Sequence, residues 1–140
     1  MIRLTENDWA FVPGPSEIPD APQSSIDLQD VANYPADAIA QAFLGYPGFR
    51  LMHAADPTWW QWRAEWECDR GFLLVDMTLF ETDPVAWGGS GISGFCELDD
   101  LLALWRDLRE KFPAIWLHNG DCEIHTPESF ARFVNSQRTH

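Results

Sequence analysis

Residues 59–67 read Trp59-Trp60-Gln61-Trp62-Arg63-Ala64-Glu65-Trp66-Glu67. Successive side chains on a strand point to opposite faces, so strict alternation marks a strand with one packed and one wet face. Trp60, Trp62, Ala64 and Trp66 take the packed face. Trp59, Gln61, Arg63, Glu65 and Glu67 take the other. Downstream, Asp69-Arg70-Gly71 is a turn signal. Residues 72–80 follow as a strand, with Leu73, Val75, Met77 and Leu79 on one face. Phe72, Leu74 and Phe80 lie on the other, which predicts a central strand covered on both sides. Upstream, Phe49 to Ala55 is a short strand closed by Asp56-Pro57. Thr82-Asp83-Pro84 turns the chain again, and Val85-Ala86-Trp87 opens a fourth strand. The middle of the chain is a β meander.

Helices flank it. Residues 26–44 suggest two short helical pieces, with Ser25 as a possible N-cap and Pro35 at the start of the second. Leu98, Leu101, Leu102, Trp105, Leu108 and Phe112 recur at three- and four-residue steps, so 97–112 is an amphipathic helix ended by Pro113. Residues 114–125 carry Asn119-Gly120, a strong hairpin signal. A two-residue loop there sets His118 opposite Asp121 and Trp116 opposite Glu123. Ile115, Leu117, Cys122 and Ile124 then share an apolar face, and Trp116, His118, Asp121, Glu123 and His125 a polar one. Thr126-Pro127 starts a last helix. Residues 1–24 are broken by Pro13, Pro15, Pro19 and Pro22 and are expected as an irregular arm beside a body spanning 25–140. The order is α-α-β-β-β-β-α-β-β-α, and the expected fold is α+β: one domain, an antiparallel sheet with helices on one face.

Composition narrows the function. The 140 residues carry 22 Asp and Glu against 9 Lys and Arg, a formal charge of −13. Such a field repels nucleic acid and anionic lipid and attracts basic partners. Cys68, Cys96 and Cys122 are odd in number and lack paired spacing, which fits thiols in a reducing compartment. No apolar run near the start suits a signal peptide, so the cytoplasm is the expected location.

Motifs for chemistry are weak. His118, Cys122, His125 and Cys96 look like zinc ligands as a string, but the hairpin alternation points Cys122 away from both histidines. A metal on the polar hairpin face is easier in geometry, yet a solvated face explains the same residues. Gly89-Ser90-Gly91-Ile92-Ser93-Gly94 matches GxGxxG. The acidic start of the next helix, Glu97, Asp99 and Asp100, would repel a pyrophosphate, so a flexible or bulged connection is the better reading. No activated nucleophile or acid–base pair stands out, and neither cofactor nor enzyme activity is expected. The chain has eight Trp. Trp60, Trp62, Trp66 and Trp105 suit a core, whereas Trp59, Trp87 and Trp116 suit interface anchors or the wall of a ligand pocket.

With its charge, the Phe95-Cys96-Glu97-Leu98-Asp99-Asp100-Leu101-Leu102 lead into an amphipathic helix, and the closing hairpin and helix from His118 to Phe133, the chain resembles the acidic single-domain immunity proteins. Bacteria pair these with secreted (polymorphic, contact-dependent or type VI) toxins. The resemblance implies an inhibitor that occludes the active site of a basic toxin domain. Glu65, Glu67, Trp59, Trp116, His118, Asp121, Glu123 and His125 are the expected partner-binding residues. An acidic secretion chaperone and a small-ligand binder or enzyme using the Trp-rich sheet stand as alternatives.

Overall fold

A computed structural model describes residues 1–14, 33–53, 62–80, 86–119 and 124–138. They form β1 (Ile2–Pro13), α1 (Ala36–Leu44), β2 (Phe49–His53), β3 (Trp62–Cys68), β4 (Gly71–Phe80) and β5 (Ala86–Cys96). Then come α2 (Leu98–Lys111), β6 (Ile115–Asn119), β7 (Ile124–His125) and α3 (Pro127–Arg138). The seven strands lie in the order β2-β3-β4-β5-β1-β6-β7, each pair antiparallel. The fold is α+β, and the meander expected from residue 49 onward is β2 to β5. The helix expected at 26–34 falls mostly outside the described residues.

The first element is a correction. Residues 2–13 are not an irregular arm but a strand inside the sheet, between β5 and β6. The prolines begin at Pro13, the last strand residue, which pairs with Ile115. Pro therefore terminates this strand rather than preventing it. Alternation is hidden because Leu4 pairs with Gly94 and Trp9 with Ile92. Residues 5–8 thus face only Ser93, and the three extra residues of this large bulge put Leu4, Trp9 and Phe11 on one face despite their mixed parity.

Register defines two faces. Phe49, Trp66 and Leu73 lie in one row, and Ala64, Val75, Ile92 and Trp9 in the next. Met77, Ser90, Phe11, Leu117 and His125 follow in a third row. These face the helices. Ile39 and Phe43 of α1, Leu101, Leu104, Trp105 and Leu108 of α2 and Phe130 of α3 join the same buried cluster. Each fully buried Leu or Phe contributes about 2 kcal/mol relative to exposure. The Trp105 indole N–H donates to the Ile115 carbonyl at 3.0 Å, tying α2 to β6.

Two further expectations change. The Gly89–Gly94 string is not a loop but the interior of β5. Gly94 has φ +130°, and a Cβ there would sit 2.2 Å from the Phe72 carbonyl oxygen. Glycine is needed there for backbone shape and close strand approach. The closing hairpin pairs Leu117 with His125 and His118 with Ile124. Residues 119–123 separate those pairs, in place of a two-residue Asn-Gly loop. The register is shifted by three, an odd number, so the second strand turns its side chains over.

Candidate functional site

Among the described residues, the sheet's other face over β2 to β5 stands apart from the helix-side core. One row runs Glu67, Phe72, Phe95, Arg3, and the next runs Arg50, Glu65, Leu74, Ser93. A third joins Arg63, Asp76 and Gly91. None of these outer side chains belongs to the core cluster shared with the helices. Phe95 is 42% exposed, Phe72 and Leu74 are half-buried, and Glu67 is exposed. Among the described residues, only one face of β4 joins the helix-packed core, while Phe72 and Leu74 on the other face, expected to be buried, are half-buried.

Charge on this face is partly paired. The Arg50 guanidinium donates to the Glu65 carboxylate, while Arg63 spans Asp76 through Nε at 2.5 Å and Nη2 at 3.1 Å. The two pairs sit side by side on β2, β3 and β4, flanking the apolar strip of Phe72, Leu74 and Phe95. An aromatic surrounded by hydrogen-bonding charge can enter an apolar pocket and orient its partner at the rim.

The expected site residues scatter. Glu65 and Glu67 lie on this face. Trp59, Asp121 and Glu123 fall outside the described residues. His118 is half-buried, and burial alone lowers its pKa. Trp116 is fully buried, although its pairing with Val12 puts it on the outer side. A Cβ at Gly14 would lie 2.4 Å from Trp116 Cδ1, so Gly14 makes room for this indole. His125 turns to the helix side because of the register shift. Its ring lies 5.5 Å from Phe133 and 6.1 Å from Phe130, and Nδ1 is 3.1 Å from Ser129 Oγ. Neither Trp116 nor His125 can anchor a partner from there. Trp87 is also core, its indole N–H donating to Ser90 Oγ at 2.9 Å.

Sequence reasoning missed Phe72, Leu74, Phe95 and Arg3. The signal for Phe72 and Leu74 was their alternation against Leu73 and Val75. It was masked by the assumption that apolar residues on both faces mean cover on both. Phe95 was hidden by the treatment of the glycine string as a connection.

A second concavity lies between the start of β1 and α3. It holds about 350 Å³ and is walled by Ile2, Leu4, Trp9, Phe130, Phe133 and Val134. Its rings form a tight group, with Trp9 and Phe130 centroids 5.3 Å apart and edge-on. Reactive thiol chemistry is suppressed at Cys96. Burial, then Cys68, Asp100 and Glu97, push its pKa up to about 12, despite its place before α2. Burial also raises Cys68. His118 and His125 occupy opposite faces, and among the described residues no three His, Cys, Asp or Glu side chains form a metal-holding group. No described helix is long and apolar enough to cross a membrane.

No protein-family model matches the chain, and no curated protein or solved structure matches it either.

Proposed function

We propose that this chain is a protein-binding inhibitor, an immunity protein that occludes the active site of a basic bacterial toxin. The observation that carries this reading is the outer sheet face, where exposed Phe95 and half-buried Phe72 share the row that ends in Glu67, beside Leu74 and Glu65 in the next row. The charge of −13 supplies the long-range attraction for a basic partner. In this mechanism Phe95 fills an apolar pocket beside the toxin's substrate cleft. Glu67 meets the Arg and Lys side chains that would otherwise hold substrate. Glu65 already has Arg50, so it acts mainly by keeping the face in register. The chain itself performs no reaction in this reading.

The test is capture with tagged protein from the native host, followed by expression of the captured partner alone and with this chain. A stoichiometric basic partner that is toxic alone and harmless with the chain supports the reading. A partner whose toxicity is unaffected overturns it. The aromatic cleft at Trp9, Phe130 and Phe133 favours a second reading, a small apolar ligand site. Saturable quenching of Trp fluorescence by such a ligand, lost in Phe133→Asp, would support that reading instead.

A further inference from the structure

The sheet has two edges, and they differ. β7 is two residues long and both are buried. β2 is five residues long, and Leu51 and Met52, at 41% exposure each, are two of the four large apolar residues exposed among those described. Natural edge strands are blunted by proline, charge or cover, because an open ladder recruits another strand. β2 has no proline, its register shift lies past Leu51, and Arg50 is already engaged with Glu65.

The ladder shows which groups are open. The Glu67 N–H donates to the Gly48 carbonyl at 3.0 Å, making 48 and 67 a hydrogen-bonded pair. Antiparallel pairs alternate, so Arg50 and Glu65 form the next such pair, and Phe49 and Leu51 turn their backbone groups away from β3. The Phe49 N–H reaches the Tyr46 carbonyl at 3.4 Å. That leaves the Phe49 C=O and the Leu51 N–H facing outward, ahead of the register shift between Leu51 and His53. Among the described residues no other strand lies beside β2. Spaced donors and acceptors of this kind are matched by an extended polypeptide.

We propose that β2 is a strand-addition site that takes an extended, basic, apolar-alternating segment of the inhibited partner. An apolar side chain on that segment packs beside Leu51, and its basic residues lie in the field of the whole molecule. A second copy is the poorer occupant, since each copy carries −13. The segment's basic character rests on the inhibitor reading. Its strand pairing rests on the edge alone.

The test is an amide NMR titration of the full chain with a capped peptide, Lys-Leu-Lys-Val-Lys-Leu-Lys. A control peptide of the same sequence carries N-methyl groups on alternate amides, keeping charge and side chains but losing one hydrogen-bonding edge. The expected result is saturable shifts and slowed amide exchange at Phe49 to Met52, with both lost for the N-methylated peptide. Leu51→Pro removes the outward N–H, which an edge strand tolerates, and should also abolish the response. If that variant fails to fold, the N-methylated peptide still decides. Equal responses to both peptides, or shifts that spare β2, overturn the proposal. So does dimerisation of the chain through β2 without peptide. No toxin enters this titration, so its failure leaves the inhibitor reading standing, and failure of the toxicity test leaves the edge result standing.

Discussion

Gly94 sits where strand β4 passes so close that any side chain would meet the Phe72 carbonyl oxygen, and its φ is +130°. Gly94→Ala should therefore destabilise the fold by about 3 kcal/mol, from left-handed strain and backbone displacement together. Gly91 makes the control: its Cβ would find only the Asp76 carbonyl, at 4.0 Å, so Gly91→Ala should cost less than about 1 kcal/mol. Urea melts of both variants check the difference. His118 adds a pH effect with a defined sign. Its folded pKa is lowered below the ordinary 6.5 by burial, so the unfolded chain binds the extra proton first. The His118 contribution is fully present above pH 6.5 and is lost as pH falls from there through the lower folded value. His118→Gln should flatten the decline in melting temperature over that window. Cys96, with its thiol pushed up to about 12, should resist iodoacetamide at pH 8 in the native protein and react once urea unfolds it, as read by peptide mass spectrometry.

At the scale of elements, β1 carries the largest consequence. A strand between β5 and β6 is not removable, so deletion of residues 1–14 should abolish cooperative unfolding by circular dichroism. An irregular arm would leave it intact. α3 is held by a reciprocal cap: the Ser129 N–H donates to Thr126 Oγ1 at 3.1 Å, and the Thr126 N–H to Ser129 Oγ at 3.0 Å. Both side chains are buried, so Thr126→Ala should cost about 1–2 kcal/mol in chemical denaturation. These elements were unequally legible in the sequence. α2 was readable because Leu98 to Leu108 repeat at helical period and Pro113 stops them. It runs Leu98–Lys111 against an expected 97–112. β3 and β4 were readable through alternation at Ala64, Trp66, Leu73 and Val75. β1 was not, because a bulge breaks period two between Leu4 and Trp9. The hairpin is half legible: alternation marks its strands, but Asn119-Gly120 signals a two-residue loop that the observed pairing of Leu117 with His125 does not use. A three-residue shift then exchanged the faces of Ile124 and His125. Local turn preference lost there to the burial of His125 among Trp9, Phe130 and Phe133.

For the whole molecule, the candidate site was less legible than the fold. A face becomes a surface only when the layers are placed, and composition cannot say which side the helices cover. Of the acidic positions favoured from sequence, Glu65 and Glu67 share the outer face, and the aromatic partner there is Phe95 rather than Trp116. Charge acts at this scale too. With −13 on the chain, association with a basic partner should slow steeply as salt rises, while dissociation changes little. The central claim is that the outer face binds the partner, and affinity tests it most directly. The toxic partner would be titrated by calorimetry against the wild-type chain and against a folded Phe95→Ala, Glu67→Lys double variant. A loss of affinity of about 100-fold or more, with toxicity restored in cells, is the predicted result. Unchanged affinity with a folded double variant would contradict the account and move the binding surface off this face.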